Sequence, residues 1–324
     1  MTMNRVFRGL ILSFILFMIT ACSNSQIAMT DSSLQKVGLL LEDTIDDQGW
    51  NSKGYQGLLN IQSTLGVDVY FKESVNSSEG VKTAVEEFDS DGVNLIFGHG
   101  RMFADLFSDI QGQYPDIHFV SFNGYVEGEN ITSLHFDGHA MGFFGGMVAG
   151  KMSESNRIGV IAAFPWQPEV GGFIDGVGYE NNNAEVFVEY VYDWADVDQA
   201  LINYEQMVNE GVDVFYPAGD GFHVPIVEEV KQDGLHVLGF VSDQSDLGET
   251  TVLTSTVQHV DDLYQLVAER FNHGELQSGN IYYDFQDGVI TLGEFSSLVP
   301  TDFQEEVKDY VQEYIETNEL PSHH

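Results

Sequence analysis

Val37-Gly-Leu-Leu-Leu-Glu-Asp-Thr-Ile-Asp-Asp-Gln-Gly-Trp-Asn51 passes from an unbroken apolar run, through an acidic loop, to a glycine, a tryptophan and an asparagine. A short apolar run bounded by turn residues is the pattern of a strand buried on both faces. Residues 51–65 then show helical spacing, with Tyr55, Leu58, Leu59 and Ile61 on one stripe. Strand, loop and amphipathic helix make half of a βαβ unit, and the rest of the chain repeats it. Strands are expected at 67–71, 93–97, 117–122 and 131–136, with helices at 80–88, 101–113 and 141–151. The order then restarts. Strands are expected at 157–162, 185–190, 212–216 and 236–241, separated by helices at 168–179, 197–210 and 224–233. A helix at 260–271, strands at 281–285 and 289–292 and a helix at 302–316 close the chain.

Apolar runs alternating with helices argue for an α/β fold with mostly parallel sheets. Two successive series predict two similarly built lobes. We place residues 36–137 and 258–283 in an N-terminal lobe, and 138–257 and 284–324 in a C-terminal lobe. A chain that crosses between lobes more than once makes a hinge, with a cleft at the carboxyl ends of both sheets.

The N-terminus is of a different kind. Arg5 and Arg8 precede an apolar stretch from Gly9 to Ile19, and Ile19-Thr-Ala-Cys22 follows. Cys22 is the single cysteine. An aliphatic residue, two small ones and a cysteine after an apolar core match a lipoprotein signal, removed so that Cys22 becomes a lipidated N-terminus. An ordinary signal peptide or an uncleaved anchor is the alternative, although the run is short for a span of about 20 residues. On this reading 1–21 is a signal peptide, 22–35 a polar tether, and the protein is lipid-anchored on the extracytoplasmic face of the cell membrane.

The whole chain carries 12 basic and 51 acidic residues, a net charge of −39. Removing Arg5 and Arg8 with the signal takes this to about −41. A field of that sign repels nucleic acid and anionic lipid, so neither is an expected partner and the membrane is met only through the N-terminal lipid. Disorder is excluded by 43% hydrophobic and 12% aromatic residues in regularly spaced runs. With one cysteine there is no disulfide within the chain, and stability must come from core burial.

Several strand ends carry polar and aromatic groups. After the first strand, Asp43, Asp47 and Asn51 can accept or donate to hydroxyls, and Trp50 can stack on a flat ring. A capped loop with a buried Trp is the plainer alternative. Gly98-His-Gly100-Arg101 and Pro217-Ala-Gly219-Asp220-Gly221 occupy equivalent places in the two series. Their glycines can present backbone to a ligand, or simply make tight turns. Asp243-Gln244 ends a further strand, and Trp194 stands beside acids after another. Catalysis finds little support: there is no nucleophile elbow, phosphate loop or zinc-protease motif. His135 and His139 lack a third ligand, and local packing is the favoured reading for them. No enzyme activity, cofactor or metal is expected. An extracytoplasmic hydrolase is the distant third possibility.

At these loops the chain resembles the basic membrane protein family of substrate-binding lipoproteins, whose members include purine nucleoside receptors serving ABC transporters. The family's acidic loop, Asp-x-Ser-Phe-Asn, is similar to Asp47-Gln-Gly-Trp-Asn51. Its Gly-rich helix resembles 136–146, its Phe-x-x-Gly segment Phe173-Ile-Asp-Gly176, its Ala-Gly turn Ala218-Gly219 and its Asp-Gln strand end Asp243-Gln244. The resemblance implies a two-lobe type I periplasmic-binding-protein fold that closes on a small ligand, with an ABC permease as partner. It also implies an aromatic sandwich around the ligand, with Trp50 on one side and Trp194 on the other. The chain departs from the family where a Glu, an Asp and a Lys are expected, holding Ala140, Val241 and Gln258. It looks closest to a branch described as positive regulators of competence, which implies the alternative of a regulatory lipoprotein acting through a partner without transport.

Overall fold

The computed structural model describes residues 33–45 and 49–322. The signal segment, Cys22, most of the tether, Asp47 and the final His323-His324 lie outside them.

The first series folds as β1 (Lys36–Leu41), α1 (Trp50–Leu65), β2 (Asp68–Lys72), α2 (Ser78–Ser90), β3 (Leu95–His99), α3 (Met102–Ile110), β4 (His118–Phe122) and β5 (Ile131–Phe136). After α4 (Gly138–Met152) comes the second series, β6 (Arg157–Ala162), α5 (Pro168–Glu180), β7 (Glu185–Tyr190), α6 (Val197–Asn209), β8 (Val214–Ala218), α7 (His223–Gln232), β9 (His236–Val241) and β10 (Val252–Gln258). The chain ends with α8 (Val260–Asn272), β11 (Gly279–Tyr283), β12 (Ile290–Leu292) and α9 (Thr301–Thr317).

The strands make two six-stranded sheets, in the orders β11-β5-β4-β3-β1-β2 and β12-β10-β9-β8-β6-β7. All ladders are parallel except β10 with β12. The chain passes to the second sheet after β5, returns through α8 to supply β11, and crosses again to supply β12. Both sheets are covered on both faces, which is why their strands read as continuous apolar runs. In β1, Leu39 and Leu41 join the large core that extends through both sheets, whereas Leu40 faces the satellite core under α2 and α3. Ile161 and Phe215 face the corresponding core under α6 and α7.

The boundaries differ from the sequence reading in instructive places. β3 continues through Gly98 and His99, two residues past the expected end, because Gly98 leaves room for Phe103 and Phe107 of α3 lying across it. β8 continues through Pro217, where β6 is still its neighbour but the ladder to β9 has already ended. β10 is absent from the sequence reading. Its Thr254-Ser-Thr256 centre reads as polar, yet all seven residues are buried. Thr254 donates to the Gly293 carbonyl and Thr256 to the Gly239 carbonyl, while Ser255 accepts from the Gln244 N–H. Buried hydroxyls with such partners cost little.

Helices α4 and α5 cross with their backbones in contact. A methyl at Gly142 or Gly146 would overlap the carbonyl of Glu169 or Phe173, and one at Gly172 or Gly176 would overlap that of His139 or Phe143. Two small-x-x-x-small faces therefore meet, and the crossing braces the chain where it enters the second sheet. Among the described residues, no helix is long and apolar enough to cross a membrane.

Candidate functional site

Parallel strands deliver their carboxyl ends to one edge, and in both sheets that edge carries the residues singled out above. On the first sheet, α1 starts at Trp50 after Gly49. The indole is half-buried rather than exposed. One face lies on the His99 imidazole, with ring centres 4.4 Å apart and planes at 17°, and its edges meet Phe122 and Phe136. His99, Phe122 and Phe136 end β3, β4 and β5, so three strand ends and a helix start combine into one aromatic plate. Asn51 is buried one residue further along α1. Asp43 is exposed in the loop after β1. Beside it the Glu42 carboxyl is held above its ordinary range, first by partial loss of water and then by the Asp43 charge.

On the second sheet, Trp194 is half-buried against Phe164 and Trp166, with ring centres 5.4 and 5.7 Å away. Its carbonyl accepts the Gly221 N–H at 2.8 Å, which ties the turn after β7 to the turn after β8. Gln167 fastens the same region. Its side chain accepts from the Phe164 N–H and donates to the Ala218 carbonyl and to Glu169 Oε1. Glu169 is enclosed at the start of α5, and burial pushes its carboxyl above the ordinary range against the smaller opposing effect of its hydrogen bonds. Glu169 and Gln167 escaped the sequence reading because nothing local marks a polar pair as buried.

The candidate glycines each have a packing role. Gly98 accommodates Phe103, Gly219 the Phe222 ring, and Gly221 the Ala195 backbone. Asp243 is exposed, and its carboxylate accepts the N–H groups of Ser245 and Glu294, binding the end of β9 to the segment after β12. Val241 ends β9 with φ at +63°, a left-handed conformation costly for a β-branched residue, by about 1–2 kcal/mol. Together with buried Ala140 and Gln258, it stands where the family resemblance implies charged groups. His135 stacks on Tyr282, and His139 pairs with Asp175. The two histidines therefore serve separate partners, and no cluster of metal-binding side chains occurs among the described residues.

The two edges face each other and touch. Asp220 approaches the Gly49 backbone at the start of α1, its carboxylate 3.6 Å from where a Cβ at Gly49 would stand. The Arg101 guanidinium lies 4.9 Å over the Trp166 ring. Asp43, Trp50, Asn51 and Gly98 thus lie at or just after strand ends of the first sheet, and Trp194, Gly219, Asp220, Gly221 and Asp243 at or just after strand ends of the second. Arg101, Trp166 and His99 join them as residues whose place only the tertiary structure reveals, although the Gly98-to-Arg101 motif drew attention to two of the three.

The family model for ABC transporter substrate-binding protein PnrA-like matches residues 34–324. The transcriptional activator protein med of Bacillus subtilis (strain 168) is 50% identical over 307 residues, covering 95% of this chain and 96% of that protein. The crystal structure of a transcriptional activator of the comK gene from Bacillus halodurans superposes with a TM-score of 0.84 at 60% identity, covering 89% of this chain and 100% of that one. An ABC transporter solute-binding protein from Conexibacter woesei shares the fold, with a TM-score of 0.71 at 18% identity over 89% of this chain and 98% of that one. Two mostly parallel lobes joined by repeated crossovers, together with these matches, make this chain a member of the PnrA-like family of ABC transporter substrate-binding proteins, with the two-lobe type I periplasmic-binding-protein fold.

Proposed function

We propose that the protein is a membrane-anchored binding protein that closes its two lobes on a small, flat, polar ligand of the purine nucleoside kind and presents it to an ABC permease. The observation that supports this most is the Trp50 plate. A half-buried indole at a helix start, at the carboxyl edge of a parallel sheet and facing a second aromatic wall, is built to stack on a planar ring. Trp194 is the opposing aromatic in this reading. Asp43, Asp47, Asn51, Asp220 and Asp243 read hydroxyls or ring nitrogens, and Gly98, Gly219 and Gly221 lend backbone. Ala140, Val241 and Gln258 in place of charged groups point to a ligand with fewer ionic anchors than a typical family member takes, each charge-assisted hydrogen bond being worth about 1.5–3 kcal/mol.

A thermal-shift screen of the fragment from Ser23 onward against nucleosides and bases tests the reading. A ligand at 100 times its Kd adds about 2.7 kcal/mol. Trp50→Ala should abolish that shift while leaving the unliganded Tm within a few degrees. A large fall in unliganded stability would instead make Trp50 a core residue. Anchoring is tested separately: Cys22→Ser should move the protein from the membrane to the soluble fraction, and retention there would overturn lipid attachment.

The named relatives favour a second reading. Two proteins at 50% and 60% identity carry activator names, so this chain is on that view a lipoprotein that promotes competence gene expression through a partner. With about −41 of net charge its body is no DNA ligand, so such activation is indirect. A well-folded sample that no small metabolite shifts would favour this reading.

A further inference from the structure

His99 is buried, with 1% of its surface exposed, and carries more contacts than a strand-end turn requires. Besides stacking on Trp50, its Nε2 lies 2.7 Å from the Trp50 carbonyl oxygen and its Nδ1 lies 2.8 Å from the Tyr264 hydroxyl. A carbonyl can only accept, so Nε2 carries the proton. In the neutral ring, Nδ1 then accepts from Tyr264. These partners fix the tautomer, and with it the orientation of the ring. Tyr264 is itself held, stacked on Phe97 with ring centres 4.3 Å apart and on Phe122 at 5.4 Å. Two glycines one turn apart on α1 admit both rings. A Cβ at Gly54 would stand 2.7 Å from the His99 ring, and one at Gly57 would stand 2.7 Å from Tyr264. Helix α1, strand β3 and helix α8 are thus keyed together at His99, directly behind Trp50.

We propose that His99 is a positioning residue for ligand recognition, fixing the Trp50 indole as a rigid stacking plate, with Tyr264 locking His99 in turn. The inference rests on the reading of the cleft as a site for a flat ligand. A plate already held at its carbonyl and across one face need not be ordered when ligand arrives, so the affinity is higher by the ordering cost avoided. Tyr264 is one turn into α8, the helix by which the chain leaves the second sheet after β10, so the lock ties that return to α1 and β3.

The test uses the mature chain with fluorotryptophan in place of tryptophan, and the Trp50 fluorine resonance is assigned by Trp50→Phe. His99→Phe keeps a ring behind the indole but removes both hydrogen bonds. Tyr264→Phe removes a single hydroxyl and keeps the stacking, which guards against a merely misfolded variant. Both should shift and broaden the Trp50 resonance while leaving those of Trp166 and Trp194 in place. Both should also weaken binding of adenosine, guanosine or inosine by about 2- to 10-fold, the cost of immobilising one side chain. An unmoved Trp50 resonance in both variants overturns the proposal, as does unchanged nucleoside affinity when the wild type binds. If the wild type binds no nucleoside, the ligand reading fails, and the fluorine spectra alone decide whether His99 positions Trp50.

Discussion

Glu169 shows how far one residue's chemistry depends on its surroundings. In sequence it is one acid among 51, but in the fold it is enclosed between Gln167 and the start of α4. Burial favours its neutral form, so its folded-state pKa lies above the unfolded value of 4.5. Below that value both states are protonated and the group is neutral in its effect. As the pH rises past it, the unfolded chain ionises first, and the fold loses stability relative to a chain without that carboxyl. The Tm of Glu169→Gln, measured relative to wild type across pH 4 to 8, should therefore climb with pH. A difference independent of pH would mean that the carboxyl is well hydrated. The aromatic residues at the strand ends teach the same lesson. Trp50 and Trp194 were legible as aromatics at strand ends, but His99 behind Trp50 could not be recognised as its support, because stacking partners 49 residues apart leave no local signal.

Among the elements, the α4–α5 crossing was half-visible. A helix as rich in glycine as Gly138-His-Ala-Met-Gly-Phe-Phe-Gly-Gly-Met147 announces close packing, since glycine costs helix stability with nothing local in return. What it packs against is set by Gly172 and Gly176, on a second glycine-rich helix whose pairing with the first leaves no local signal. Gly146→Ala places a methyl inside the Phe173 carbonyl, and overpacking of this kind costs about 1–3 kcal/mol. Chemical denaturation should show that loss at Gly146, whereas Gly178→Ala on the open side of α5 should be neutral or slightly stabilising. Equal effects at the two positions would refute the packing account. β10 marks the opposite limit. Its hydroxyls resemble a loop until Gly239, Gln244 and Gly293 supply their partners from elsewhere in the chain.

For the whole molecule, the contacts that matter are the ones between lobes. Arg101 over Trp166 and Asp220 at Gly49 join the two walls without using the core. Trp166 is 45% exposed, so the cation–π contact is worth about 0.5–1 kcal/mol. That suffices to change a ratio of closed to open forms by about 2- to 5-fold. Arg101→Ala should raise the radius of gyration of the unliganded protein in small-angle scattering. Arg101→Lys should do so less, and an unchanged radius would show that this contact does not govern closure.

The repeated strand–helix periodicity was enough to specify two parallel α/β lobes, because burial on both faces imposes continuous apolar runs whatever the neighbours are. Charge sign and the absence of catalytic motifs likewise followed from residue types alone. The meeting of the two sheet edges depended on more. Which strands adjoin, which glycines yield to which rings, and that His99 lies under Trp50 while Arg101 meets Trp166, are decided by contacts between residues distant in the chain. Local propensity carries no record of such contacts. They exist only once the crossovers after β5, β10 and β11 have brought the two sheet edges face to face.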